Sequence, residues 1–210
     1  MKISVIPVTP FQQNCSLIWC TATKTAALID PGGEIDALLG EVDKYDLELR
    51  KILLTHAHID HAGAAATLAN QLNIPIEGPH EDDQYWIDAL PEQGKMFNFP
   101  PALSFEPQRW LNQDDVVTVG EEQLEVLHCP GHTPGHVVFF HRNSAIAFVG
   151  DVLFRGSVGR SDFPGGDHDT LIGSIRQRLW PLGDGVQFVP GHGPASTFGE
   201  ERKTNPFVRD

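Results

Sequence analysis

Lys51-Ile52-Leu53-Leu54-Thr55-His56-Ala57-His58-Ile59-Asp60-His61 runs from an apolar segment straight into three histidines and an aspartate. Imidazole nitrogen and carboxylate oxygen both suit zinc and other first-row divalent metals, so this density of donors points to a metal site. The apolar run predicts a buried strand, and residues two apart in a strand project to one side. His56 and His58 would then face one metal where the strand ends. Asp60 and His61 fall beyond that end, where Ala62-Gly63-Ala64-Ala65-Ala66-Thr67-Leu68-Ala69 predicts an alanine-rich helix, and they could serve a second metal beside the first. A polar surface loop would account for a lone histidine, but not for this many ligands packed so closely.

Upstream, Asn14 to Trp19 and Thr25 to Ile29 are apolar-rich runs joined by Thr21-Ala22-Thr23-Lys24, which predicts a hairpin. Asp30-Pro31-Gly32-Gly33 ends it. Ile35, Leu38, Leu39 and Val42 then recur on one face of a helix that leads into the strand before His56. Downstream, Ala65, Leu68, Ala69 and Leu72 line one helix face, Pro75 stops that helix, and a short strand is expected at Ile76. From His80 to Trp110 the pattern is irregular, with a short helix predicted over Asp82 to Leu90. Phe97, Phe99 and Phe105 among its prolines suit either one wall of a substrate cleft or a cover for the sheet edge.

The second half repeats the order of the first. Val137 to Phe140 and Ile146 to Val149 flank Arg142-Asn143-Ser144 as a second hairpin, and Asp151 stands where Asp30 stood. Leu171, Ile172, Ile175 and Leu179 mark a helix behind an Asp167 cap, and Val186 to Val189 predicts a strand ending in Pro190-Gly191-His192. His192 thus corresponds to His56. Two such halves predict an α/β fold, a four-layer αββα sandwich with the sheets face to face and the strand-end loops gathered at one rim.

Length and composition agree with one domain over residues 1–210, since 210 residues with 40% hydrophobic side chains can bury one substantial core. A net charge of -13 opposes binding to nucleic acid or to an anionic membrane surface, and no Lys/Arg run offsets it. No leader pattern or membrane-length apolar run is visible, so the expected setting is the cytoplasm. Cys15, Cys20 and Cys129 are an odd count without a CxxC pair, which predicts free thiols rather than a disulfide framework.

Further ligand candidates lie in the second half. Cys129-Pro130-Gly131-His132-Thr133-Pro134-Gly135-His136 is a rigid loop in which only His132 or His136 is needed. Phe148-Val149-Gly150-Asp151 puts past a strand end a carboxylate whose two oxygens can bridge two cations, and His192 is the last candidate.

His56-Ala57-His58-Ile59-Asp60-His61, His132, Asp151 and His192 together resemble the metallo-β-lactamase superfamily pattern, in order and over nearly the whole chain. Within it, Pro130 to Gly135, Gly150-Asp151-Val152-Leu153-Phe154 and Asn205-Pro206-Phe207 resemble glyoxalase II, the hydroxyacylglutathione hydrolases. Gly159-Arg160-Ser161-Asp162-Phe163-Pro164-Gly165-Gly166-Asp167 resembles the short bacterial glyoxalase II-like hydrolases and also the persulfide dioxygenases. The resemblance implies two divalent ions, zinc first, with iron or manganese as alternatives. His56, His58 and His132 would hold one, Asp60, His61 and His192 the other, and Asp151 would bridge them. It further implies hydrolysis of a small-molecule thioester, S-lactoylglutathione foremost, by a metal-bridging hydroxide, with Asp60 and Asp151 as the catalytic carboxylates. His136, His128 and His168 are left as supporting or surface residues, and Asp30 as a hydrogen-bonding support for the ligand loops.

Longer glyoxalase II enzymes have a helical C-terminal domain against glutathione, and Lys and Tyr where this sequence has Arg160 and Asp162. Arg160 is therefore the expected substrate contact. The alternative expectation is a mononuclear iron persulfide dioxygenase using His56, His132 and Asp151. A binding module without catalysis is disfavoured by a complete ligand set, and a nuclease by the acidic charge.

Overall fold

Two mixed sheets stack because their central strands are apolar on both faces. In the computed structural model, which describes residues 1–209, β1 (Lys2–Val8), β2 (Gln13–Trp19), β3 (Thr25–Ile29), β4 (Glu48–Leu53) and β5 (Ile76–Glu77) form the first sheet in that order. The second holds β6 (Val116–Val119), β7 (Glu122–His128), β8 (Val137–His141) and β9 (Ile146–Gly150). After a small ribbon of β10 (Leu153–Phe154) and β11 (Ser157–Val158), β12 (Gln187–Pro190) and β13 (Ser196–Thr197) complete it beyond β9. Helix α1 (Ile35–Lys44) connects β3 to its parallel neighbour β4; α2 (Ile59–Ala62) and α3 (Ala65–Leu72) lead to β5. Then come α4 (Gln84–Asp88) and α5 (Leu90–Met96). In the second half α6 (His168–Ser174) and a π-helical turn, Ile175–Leu179, connect the ribbon to β12, which is parallel to β9, and α7 (Phe198–Thr204) follows β13.

Side-chain alternation divides the core into three parts. Ala27 and Ile29 of β3 meet Val137 and Phe139 of β8 and Phe148 of β9 between the sheets. Ala26 and Leu28 point the other way, to Leu38 and Val42 of α1 and Leu68 of α3. Val138, Phe140, Ala147 and Val149 likewise turn outward to Leu171, Ile175, Leu179 and Phe198. This two-residue period, apolar on both faces, makes each sheet a middle layer. Emptying the shared layer at Phe148 would cost about 3–5 kcal/mol, the usual range for truncating a buried Phe.

Several local expectations are corrected. The helix expected over Asp82 to Leu90 is a short 3₁₀ turn, Glu81–Asp83, followed by α4 and α5, which continues to Met96 because Pro91 sits in its first turn, where a missing N–H costs nothing. The alanine-rich helix is two pieces separated at Gly63 and Ala64, and Leu72 at its end is 37% exposed rather than in the core. Strand β1, an edge strand in which only Val8 is buried, carried no clear signal.

Candidate metal centre

Every ligand candidate lies at the same end of the two sheets, just past β4, β7, β9 or β12. His56 and His58 follow β4, with His58 capping α2 in extended conformation. His132 lies in the loop between β7 and β8. The three rings converge: His58 Nδ1 is 3.1 Å from His56 Nε2 and 3.0 Å from His132 Nε2. Asp60 and His61, both in α2, meet His192 past β12, with Asp60 Oδ2 3.0 Å from His192 Nε2 and 3.7 Å from His61 Nε2. Asp151 stands between the groups, its Oδ1 3.3 Å from His61 Nε2 and its Oδ2 3.6 Å from His132 Nε2. Gly150 makes this possible. Its φ of 48° turns the chain out of β9, and a Cβ there would lie 2.5 Å from Thr55 Oγ1 and 2.6 Å from His136 Nε2.

The far nitrogens of these rings identify what the near ones can do. Asp30 accepts from Thr55 N–H at 2.7 Å, from Thr55 Oγ1–H at 2.6 Å and from His61 Nδ1–H at 2.9 Å, which is the loop-holding role expected of it. Because the Thr55 hydroxyl proton goes to Asp30, its oxygen accepts from His56 Nδ1 at 3.0 Å. His132 Nδ1 donates to the Arg160 carbonyl at 2.7 Å and His192 Nδ1 to the Phe11 carbonyl at 3.1 Å. In the neutral rings, then, Nε2 of His56, His132, His61 and His192 presents a lone pair to other lone pairs or to carboxylates. His61 Nε2 and Asp151 Oδ1 are buried without a hydrogen-bond partner. In the first group lone pairs face one another and need a cation; in the second, Nε2 of His61 and His192 faces carboxylates that protons or a metal can join, and both groups offer the donors that divalent metals take.

Electrostatics divides the two groups. Burial, reinforced by neighbouring imidazoles, lowers His56 well below its ordinary value and His58 to about 3, and burial also lowers His132 against the pull of Asp151. Burial opposes protonation of His61 too, yet the carboxylates of Asp151 and Asp60 hold it well above the ordinary value. His192 is raised in the same way, by its bond to Asp60 and by Asp151. Burial disfavours the Asp151 carboxylate, but His61, His132 and His192 together hold its pKa far below the usual range.

Of the two histidines in the 129–136 loop, His132 reaches His58. His136 is buried and stacked on His56 at 4.6 Å, and its Nε2 accepts from the Asp151 N–H at 3.0 Å. Arg160 is at the rim, exposed, its guanidinium bidentate with Asp162 at 2.9 Å for each bond and 4.5 Å above the Phe163 ring. His128 stacks on His80 at 4.1 Å, with its Nε2 2.9 Å from the Pro134 carbonyl. Cys15, Cys20 and Cys129 are free and buried, and burial pushes the Cys129 thiol up to about 12, which suits packing rather than ligation.

Three features of the site were not legible in the sequence. The Arg160 main-chain carbonyl orients His132, and a main-chain contact has no residue signature. Trp86 and Phe163 meet the His58 ring edge-on at 4.5 and 4.8 Å, and no periodicity marks them. Phe11, whose carbonyl holds His192, packs edge-on against Phe97 and Phe99 at 5.8 and 5.3 Å, so those two phenylalanines do line the rim. Phe99 also packs against the first-sheet core, as Phe105 does.

The sandwich and this cluster of metal donors place the chain in the metallo-beta-lactamase superfamily, whose model matches residues 8–192. It is similar to hydroxyacylglutathione hydrolase GloC of Haemophilus influenzae, 48% identical over 209 residues that cover 99% of this chain and 98% of that protein. Among solved structures, BLEG-1 B3 metallo-beta-lactamase aligns over all of both chains at a TM-score of 0.91 and 34% identity. TTHA1623 in a di-iron-bound form aligns at 0.88 and 38%, covering 98% of this chain and all of that one.

Proposed function

We propose that the chain hydrolyses glutathione thioesters, S-lactoylglutathione foremost, with its seven clustered side chains forming a dinuclear centre. The observation that carries this reading is the pair of three-residue groups joined by Asp151, in a chain 48% identical over its length to a hydroxyacylglutathione hydrolase. His56, His58 and His132 would hold one cation, Asp60, His61 and His192 the other, and Asp151 would serve both. Zinc suits this mixture of nitrogen and oxygen, and iron or manganese can use the same donors. Divalent cations bound there would lower the pKa of water and polarise a thioester carbonyl.

The side chains do the rest by position. Asp60, held ionised by His61 and His192 against its burial, accepts a hydrogen bond from the attacking water and orients it. Trp86 and Phe163 keep solvent from the His58 side. The departing thiolate has a solution pKa of about 8.5, so it needs little help from an acid. Arg160 exchanges part of its bond to Asp162 for a glutathione carboxylate. No helix among the described residues is long and apolar enough to cross a membrane, and the proposed compartment is the cytoplasm, where glutathione is abundant.

Elemental analysis beside two assays tests the reading. Two metals per chain with thiol release from S-lactoylglutathione are expected. One iron per chain, oxygen uptake with glutathione persulfide and no thiol release would replace it with the dioxygenase, which would use His56, His132 and Asp151 and leave His58, Asp60, His61 and His192 idle.

A further inference from the structure

Each ligand group is braced from behind by a polar side chain outside it, and the two braces share no residue. Behind the first group, the fully buried Asp83 accepts three hydrogen bonds. Its Oδ2 takes the Ala57 N–H at 3.1 Å and the Thr133 hydroxyl at 3.0 Å, and its Oδ1 takes the Gly135 N–H at 2.6 Å. Ala57 lies between His56 and His58, and Thr133 follows His132. One carboxylate therefore ties together the two loops that must meet for the three histidines to converge. Behind the second group, Asn14 of β2 donates its main-chain N–H to the Gly191 carbonyl at 2.7 Å, and its Nδ2 to the carbonyls of Pro190 and Gly193 at 3.0 and 2.9 Å. These bonds hold the backbone on both sides of His192, and the neighbouring Gln13 bridges to His192 itself.

We propose that Asp83 and Asn14 are separate positioning residues, Asp83 for the His56/His58/His132 group and Asn14 for the Asp60/His61/His192 group, so that the metal affinity of either group can be weakened alone. The inference rests on the proposed assignment of ligands to two cations. Its physical basis is that a metal site tolerates little displacement of its ligands, and that what orients them is these outer hydrogen bonds. Loss of the Asp83 carboxylate leaves the buried N–H groups of Ala57 and Gly135 without an acceptor and frees the two loops to separate. His61 does not depend on that carboxylate, because Asp30 holds its Nδ1 and the Ile59 N–H is held by Gln93 Oε1 at 3.0 Å. Both side-chain hydrogen bonds of Asn14 go to the segment around His192 and none to the loops that Asp83 joins.

Zinc titration of the EDTA-stripped protein against a chromophoric chelator tests this without any substrate. Burial pushes the Asp83 carboxyl up to about 7, so the titration is run at pH 8, where it is ionised. Wild type should show two sites. Asp83→Ala and Asn14→Ala should each weaken one of them by about 10- to 100-fold and leave the other within about twofold. Two backgrounds identify the site. With His192→Ala, where only the first group is intact, Asp83→Ala should weaken the remaining zinc and Asn14→Ala should not; with His58→Ala the pattern should reverse. Thr133→Val removes only one of the three bonds to Asp83 and should give a smaller shift in the same site, which keeps the test usable if Asp83→Ala does not fold; thermal unfolding in EDTA reports that directly. Two wild-type sites that either substitution weakens alike, or that neither moves, would overturn the separate braces while leaving the ligand assignment standing. Fewer than two wild-type sites would overturn the ligand assignment and the braces with it.

Discussion

Equilibrating the two-metal protein at falling pH sets protons against cations for the ligand nitrogens, and the two groups meet that competition differently. His56, His58 and His132 are all lowered, chiefly by burial, with His58 at about 3. Lowered values leave them neutral at pH 7, so a cation entering there displaces no proton at that pH and its affinity should respond to acid later than that of the other group. In the other group, burial is outweighed by the carboxylates of Asp151 and Asp60, which leave His61 and His192 with raised values. A cation entering there displaces up to two protons. Below both raised values its apparent affinity should fall by up to about 100-fold per pH unit, one factor of ten for each proton. The sign follows from the direction of the shifts: raised values favour the protonated rings, so acid weakens this group first. Dialysis at stepped pH followed by elemental analysis should show two equivalents at pH 8 and one near pH 5.5. At the lower pH, His58→Ala should hold none and His192→Ala should still hold one. Loss of both equivalents in one step, or a residual metal that His192→Ala removes, would refute the reasoning.

Asp151→Ala should lower metal content and thioesterase activity together, because Asp151 faces both groups; full occupancy with normal turnover would exclude a bridging role. His136→Ala should keep both equivalents and cost about 1–3 kcal/mol in thermal stability through the lost buried bond to Asp151, whereas loss of an equivalent would make His136 a ligand. Gly191→Ala should reduce metal content at unchanged secondary structure, since a Cβ there would overlap Asp151 Oδ1 and crowd His61; circular dichroism beside metal analysis checks it. For Arg160→Ala, the KM for S-lactoylglutathione should rise about 5- to 30-fold at little-changed kcat, as expected for loss of a charge-assisted contact made equally in ground and transition states. Asp162→Asn, which frees the guanidinium, should lower KM, and steady-state kinetics with neither shift would make the Arg160–Asp162 pair purely structural.

What could be read from the sequence is what repeats or lies close together along it. The hairpin of β2 and β3, its counterpart β8 and β9, and the strands that precede His56 and His192 all follow from apolar runs of strand length and the turns between them. The candidate ligands from His56 to His61 could be picked out because donor types are crowded past one strand end. Only the tertiary structure decided matters that turn on residues far apart in the chain. His132 and His136 share one glycine- and proline-rich loop and look alike as letters; they differ because one Nε2 lies 3.0 Å from His58 and the other accepts from the Asp151 main chain. Arg160 orients His132 with a carbonyl that any residue possesses, and Asp83, an ordinary acidic residue in an acidic stretch, becomes a brace only because two loops far apart in the chain, one at Ala57 and one at Thr133 to Gly135, fold around its carboxylate. Periodicity reports which face of an element is apolar. It carries no information about which loop meets which, because that is set by how the two sheets pack.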